Sequence, residues 1–223
     1  LVPPRGRQVY GLEHLMAGRG PALLEQWRTR AESQRLEISF VGGGPTGLQI
    51  LFELKALLRQ QRINAGLRLI DMNHRTLPQM PEGAHRYVVH KLRRENITYL
   101  PDTEYLEQTD DSIVLKESAS GRVYQLDSAA TLLFAGVKRA PISITTNTFG
   151  QVEIDGDLLP EIFSAGDCSD YAGNGLNQLT AQAAIRKGKQ VAHNIANLHT
   201  GYRLRPYQYQ EKGYLMRDRK SVV

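Results

Sequence analysis

Gly42, Gly44 and Gly47 stand at G-x-G-x-x-G spacing in the run Leu36-Glu-Ile-Ser-Phe-Val-Gly-Gly-Gly-Pro-Thr-Gly-Leu48. The chemistry this spacing serves is the grip of a dinucleotide pyrophosphate. The first glycine permits a tight turn, the second lets backbone approach the phosphates, and the third lets helix and strand pack closely. Pro45 and Thr46 lie between the last two glycines, where a helix would begin and aim its amides and dipole at an anion. Asp71 closes the apolar run Leu67-Arg-Leu-Ile70. That is near the place where such a unit hydrogen-bonds the adenosine ribose, which favours NAD and disfavours the 2′-phosphate of NADP. Asn73, His74 and Arg75 follow closely, and an arginine beside the ribose can accept that phosphate, so NADP stays open as an alternative. A glycine turn alone is also just a turn; strand, helix, second strand and terminal acid together make it a nucleotide site.

A second candidate lies at Gly166-Asp167, where Glu161-Ile-Phe-Ser-Ala-Gly-Asp-Cys-Ser169 reads as a short apolar strand ending in a carboxylate. The glycine permits close approach, and the acid could accept a bond from a sugar-like hydroxyl. Read alone, the pair is equally a turn dipeptide. Downstream, Leu179-Thr-Ala-Gln-Ala-Ala184 opens a helix continuing to about Leu198, and its small residues would let backbone come close to something flat or anionic. An alanine-rich helix start is the plainer reading.

Other reactive residue types lead nowhere. Cys168 is the only cysteine, so neither an intramolecular disulfide nor a C-x-x-C pair exists within the chain, and a packed thiol is expected there. His85 and His90 match no metal-binding helical pair, and no metal is expected. The 28 Lys+Arg against 23 Asp+Glu are spread along the chain, which argues against nucleic acid. The basic clusters Arg93-Arg94, Arg186-Lys-Gly-Lys189 and Arg217-Asp-Arg-Lys220 read as solvated surface. No apolar run approaches the roughly 18 residues that span a bilayer, so a soluble or at most peripheral chain is expected, and the single cysteine fits a reducing, cytoplasmic setting.

The elements that must position these residues follow from hydrophobic periodicity. Residues 1 to about 20 read as an irregular lead-in, followed by a helix over Pro21–Ala31 with proline near its start. The β-α-β unit comes next, with an apolar helical face along Leu48–Leu58. A helix is expected over Ala84–Glu95, a strand over Ile97–Leu100, a hairpin of Ser112–Lys116 with Arg122–Leu126, and a buried strand over Thr131–Gly136. The pattern predicts an α/β fold: a Rossmann-like three-layer domain with parallel sheet and an antiparallel insertion. The domain reading is 1–31 lead-in and helix, 32–140 nucleotide-binding domain, and 141–223 a further portion.

These residues resemble the pyridine nucleotide-disulfide oxidoreductase superfamily, flavoproteins with two dinucleotide-binding domains, and within it the type II NADH dehydrogenases. The likeness is carried, in order, by Gly42-Gly-Gly-Pro-Thr-Gly47, Phe134-Ala-Gly-Val137 with Pro141, Phe163-Ser-Ala-Gly-Asp-Cys168, Leu179-Thr-Ala-Gln-Ala-Ala184 and Pro206-Tyr-Gln-Tyr-Gln-Glu-Lys-Gly213. By that resemblance Gly42, Gly44, Pro45, Thr46 and Gly47 hold the NADH pyrophosphate, Asp71 the ribose, and Gly136 with Val137 the nicotinamide end. Gly166 and Asp167 meet the ribityl or phosphate part of FAD. Thr180, Ala181, Gln182 and Ala183 lie by the isoalloxazine ring, with Gln182 also bordering a quinone. Residues 141–223 are then the C-terminal, closing part of an FAD-binding domain. The implied reaction is NADH to flavin to quinone, on a peripheral protein at the cytoplasmic face of the membrane, with a homodimer as one arrangement.

Two departures qualify this. The family's opening glycine-rich unit for the ADP half of FAD has no counterpart here, so the chain reads as a piece of such an enzyme, inactive alone. Where the family usually has a glutamate after the glycine turn, this chain has Gln49. A catalytically silent nucleotide-binding module or sensor is the alternative.

Overall fold

The computed structural model describes residues 6–136, 142–173, 175–209, 217–218 and 221–222. The chain divides into two units, Leu1–Gly136 with Tyr214–Val223, and Val137–Gly213.

In the first unit β1 (Val9–Tyr10) leads through a short helix, α1 (Leu12–His14), and a π-helical turn over Leu15–Arg19 into α2 (Gly20–Ala31). Then come β2 (Leu36–Val41), α3 (Pro45–Gln60), β3 (Ala65–Ile70), α4 (Glu82–Arg94) and β4 (Ile97–Leu100). An antiparallel sheet of β5 (Thr103–Gln108), β6 (Ser112–Glu117) and β7 (Val123–Asp127) follows, and β8 (Ala130–Leu133) closes the unit. The main sheet is parallel throughout, in the order β1-β8-β2-β3-β4.

Register explains the two faces of that sheet. Phe40 stands beside Leu69 and Leu132, and Ile38 beside Leu67 and Ala130; these residues form one core with Leu23 and Trp27 of α2, Leu48, Leu51 and Leu58 of α3, and Val88 and Leu92 of α4. One residue on in each strand, side chains point the other way. Val41 and Ile70 there form a second core with Tyr105, Ile113 and Leu115 of the antiparallel sheet. The unit is therefore three-layered, with helices on one face and three antiparallel strands over the other. Between the layers this second face also carries a buried polar network. Thr131 Oγ1 donates to Gln108 Oε1 (2.6 Å), Gln108 Nε2 to the Ser128 carbonyl (2.7 Å), and Ser39 pairs with Ser128 (2.9 Å). That is why Ser39 and Thr131 interrupt otherwise apolar strands.

The irregular lead-in over residues 1 to about 20 is corrected for its described part. Val9 and Tyr10 pair in parallel with Thr131 and Leu132 as an edge strand, and a helical segment, kinked at Gly18 (φ 78), runs from there into α2. Two residues are too few to show a hydrophobic period, so the pairing is visible only in three dimensions.

In the second unit the sheet order is β11-β10-β9-β12, built from β9 (Ile144–Thr146), β10 (Gln151–Ile154), β11 (Asp157–Phe163) and β12 (Ser169–Tyr171). α5 (Ala181–Thr200) follows. It is capped at its start by the Thr180 hydroxyl, which accepts from the Ala183 amide (3.1 Å), and at its end by left-handed Gly201. A last strand pair, β13 (Arg217–Asp218) and β14 (Ser221–Val222), is counted with the first unit.

Candidate functional site

The strand order places a topological switch point between β2 and β8. From β2 the chain winds through α3, β3, α4 and β4 to one side, and β8 returns on the other. In open parallel sheets the crevice beyond the strand C-termini at such a point is where ligands sit. The residues gathered there are the glycine turn after β2, Asp71 after β3, and Phe134–Gly136 after β8.

Four consecutive or nearly consecutive glycines do different jobs in that crevice. Gly42 has φ 106, and a methyl group on it would lie 2.5 Å from the Phe134 carbonyl oxygen, so the turn must pass against the end of β8. A methyl on Gly47 would run into the Gly42 carbonyl and come within 3.2 Å of Phe134 Cβ, which fixes the close seat of α3 on β2. Gly43 was only a spacer in the sequence pattern. In the fold a side chain there would collide with the Asp71 carboxylate and stand 2.9 Å from Thr76 Cγ2. Gly44 differs from all three. Its backbone is ordinary extended (φ −75), and a methyl on it would meet no atom of the described residues within 4 Å. It is the N-cap of α3, has no side-chain cap, and is followed by Pro45 in a first turn that carries no acid of its own. The opening amides of a 16-residue helix therefore face that open space without an intrahelical acceptor.

Asp71 is 4% exposed, with both carboxylate oxygens hydrogen-bonded. Its Oδ2 accepts the Gly43 N–H (2.7 Å), and its Oδ1 accepts both the backbone N–H and the side-chain amide of Asn73 (each 2.9 Å). The carboxylate thus shapes the glycine turn from below. The loop after β3 completes the hold: Leu77 donates its N–H to the Gly43 carbonyl (3.1 Å) and does so from a left-handed backbone (φ 53) while 1% exposed. A branched side chain in that region costs about 1–2 kcal/mol and persists only where its surroundings fix it. Arg75, an alternative partner for a 2′-phosphate, is tied to the carbonyls of Pro78 (2.6 Å) and Met80 (3.1 Å), and exposed His74 pairs with Asp102 (2.8 Å). Gln49 lies half-buried on α3, lining an open groove of about 330 Å³ with Ile50, Glu53, Leu54 and Leu57.

Gly136 (φ 94) is exposed, and its N–H closes a tight turn on the Phe134 carbonyl (2.8 Å). Val137 and Pro141 lie outside the described residues.

In the second unit the strand before the second candidate acid ends earlier than expected, at Phe163. Asp167 sits exposed in the following turn beside Gly166 (φ 83), whose carbonyl accepts from the Ser169 hydroxyl (2.7 Å). The thiol of half-buried Cys168 points at the Ala165 carbonyl (3.4 Å). Of the helix start, Ala181 and Gln182 are exposed, whereas Ala183 is buried and its amide is taken by Thr180. Lys187 overturns the reading of its basic cluster as solvated surface. It is 2% exposed, with Nζ bonded to the Ser169 carbonyl (2.9 Å), the Ser169 hydroxyl (3.2 Å) and Asn177 Oδ1 (3.0 Å). It fastens β12 and the following loop to α5. The segment from Pro206 is anchored at its beginning, where Tyr207 donates its N–H to Thr148 (2.8 Å); Gln210–Gly213 lie outside the described residues.

Two phenols, half-buried Tyr99 and buried Tyr171, are shifted by this packing. Tyr99 is pushed up to about 12 by burial, then by Asp71 and Asp102, with the nearby Thr76 amide acting the other way; Tyr171 is pushed up to about 12 by burial, then by Tyr207. A phenol whose folded pKa is raised keeps its contribution below the unfolded value near 10, and that contribution is lost as pH rises through the folded one. Stability should therefore fall between pH 10 and about 12. Chemical denaturation across that range, with tyrosinate absorbance recorded alongside, checks it; a flat stability curve would contradict it.

Comparison with known proteins places the chain among relatives. The family model described as pyridine nucleotide-disulphide oxidoreductase matches residues 13–193. The chain is 24% identical over 200 residues to the type II NADH:quinone oxidoreductase of Haemophilus influenzae, covering 83% of this chain and 45% of that protein. It is 26% identical over 198 residues to demethylphylloquinone reductase NdbB of a Synechocystis species, covering 84% and 48%. The solved structure of NDH2 from Plasmodium falciparum in complex with NADH has the same fold, with a TM-score of 0.55 at 14% identity over 85% of this chain and 46% of that one. The chain thus spans about half the length of the curated relatives it matches. Among the described residues no helix is long and apolar enough to cross a membrane.

Proposed function

The chain belongs to the pyridine nucleotide-disulphide oxidoreductase family, and from that premise we propose that its first unit is the NADH-binding domain of an NADH:quinone oxidoreductase. The observation that carries this reading is Gly44. Its three neighbouring glycines are required by protein atoms, whereas Gly44 is required by none, and it stands at an uncapped helix start at the sheet's switch point. A ligand that needs backbone at close range accounts for it, and a pyrophosphate is what such a cradle fits.

On this reading Gly42, whose own N–H goes to the Ile70 carbonyl (2.8 Å), makes the turn, the amides at Gly44, Thr46 and Gly47 bind the pyrophosphate, and Pro45 presets the helix start. Asp71 shapes the turn and meets the ribose, and Gly136 with Val137 borders the nicotinamide. The second unit supplies one side of an FAD site: Gly166 and Asp167 at the sugar chain, and Thr180 to Ala183 at the ring, of which the exposed Ala181 and Gln182 are best placed for contact. The bound flavin would supply the hydride acceptance and the onward delivery of electrons to a quinone. The protein's share would be to bind and orient the two cofactors. The partners proposed for the complete enzyme are a quinone and the surface of a membrane.

Calorimetric titration tests the reading. NADH should bind at least about tenfold more tightly than NADPH, because a 2′-phosphate would meet the Asp71 carboxylate. The purified chain should show less than one flavin per molecule in its visible spectrum. Equal or tighter NADPH binding would reverse the assignment of the ribose pocket, and absence of NADH binding would remove the proposal altogether.

A further inference from the structure

The loop that grips the glycine turn is itself held from behind by a histidine. The Thr76 N–H, on a residue with no solvent exposure, donates to His85 Nδ1 at 3.2 Å, and the Thr76 hydroxyl lies at the same distance from that nitrogen. A backbone N–H can only donate, so this bond requires a bare Nδ1 and puts the ring proton on Nε2. Thr76 in turn packs its Cγ2 against Gly43, and its neighbour Leu77 bonds the Gly43 carbonyl. The Gly43 N–H is bonded to Asp71. Histidine, threonine and glycine thus form one continuous line of contact from α4 to the turn.

We propose that His85 is a positioning residue for the nucleotide site, holding the Gly43 peptide through Thr76, and that it does so only as neutral imidazole. Protonation of Nδ1 sets an N–H donor against the Thr76 N–H donor. The Thr76 amide then loses Nδ1 as its acceptor in a buried setting, and the ring re-pairs with the Thr76 hydroxyl, which turns the side chain that backs Gly43. Of the groups around the ring, Tyr99 of β4 has its ring 6.5 Å away, and its hydroxyl lies near the Thr76 amide without a hydrogen bond among the described residues. Asp71 and Asp102 lie beyond that hydroxyl and already serve Gly43, Asn73 and His74. Arg75 is bonded to Pro78 and Met80, and Glu82 lies one helical turn before His85 on α4.

In its link to binding this inference rests on the NADH reading, so the experiment has an arm that does not. In the unliganded chain, the Gly43 and Thr76 amide resonances should move together as pH falls from 8 to 5, and should stay put in His85→Asn, whose Oδ1 offers an untitratable acceptor near the place of Nδ1. NADH affinity should fall about tenfold over the same range in the parent protein and stay level in His85→Asn. His85→Leu should be about tenfold weaker already at pH 8; if it fails to fold, His85→Asn decides alone. A Gly43 resonance indifferent to pH, or a His85→Asn protein that keeps the parent's pH profile, overturns the proposal. If the parent binds no NADH at any pH, the functional reading falls, while the resonances of the unliganded chain still decide the role of His85.

Discussion

Gly44→Val should lose NADH binding by roughly a hundredfold or more while melting within a few degrees of the parent protein. The affinity loss follows from backbone approach: a β-branched side chain at the N-cap of α3 fills the space in which a pyrophosphate must touch the opening amides. The retained stability follows from the empty surroundings, since a methyl there meets nothing within 4 Å and φ −75 suits any residue. Gly47→Val is the informative partner. It would drive a side chain into the Gly42 carbonyl and against Phe134, and should destabilise the fold by about 1–3 kcal/mol, as overpacking does. Calorimetry for binding and thermal denaturation for stability separate the two. A Gly44→Val protein that binds NADH normally would end the pyrophosphate assignment.

Asp71→Ala should damage stability and binding together. The carboxylate accepts from the Gly43 and Asn73 backbone amides and from the Asn73 side chain. Its removal leaves the buried Gly43 N–H without an acceptor. Losing charge-assisted bonds of this kind costs about 1.5–3 kcal/mol, a large part of a typical domain's total. NADH affinity should fall at least about tenfold as the turn loses its support. Asp71→Asn distinguishes shape from charge. It keeps an acceptor toward Gly43, so it should be more stable than Asp71→Ala, yet it no longer repels a 2′-phosphate, so the preference for NADH over NADPH should narrow toward unity. An unchanged preference in the asparagine variant would mean that something other than Asp71 reads the ribose.

What the sequence disclosed and what it hid divide along the range of the forces involved. The run from Leu36 to Leu48 is legible because its signals are local: a buried strand, glycines at fixed spacing, and an apolar helical stripe. Gly43 was hidden because its need for a bare α-carbon comes from Asp71 and Thr76, residues brought to it by the next strand and loop. His85 was hidden for a related reason, since its partner is a backbone amide in a loop that has no periodicity to read. Lys187 looked like surface because charge runs usually are. Its burial depends on acceptors at Ser169 and Asn177 that only the folding of β12 against α5 supplies. The short strands β1, β5, β9, β10 and β12 carry too few residues or too mixed a pattern to announce themselves. Each is held by pairing with a partner rather than by its own composition.

Gly43 is gripped on both of its backbone polar atoms, its N–H by Asp71 and its carbonyl by Leu77, with a left-handed leucine held in place to do it. Glycine-rich turns are commonly pictured as slack chain that tightens on its ligand, yet this one surrenders its conformational freedom when the protein folds. The entropy of ordering the turn is then charged to folding, so the binding heat of a nucleotide reports contacts made rather than chain ordered, and capture should run at the pace of encounter rather than of loop closure.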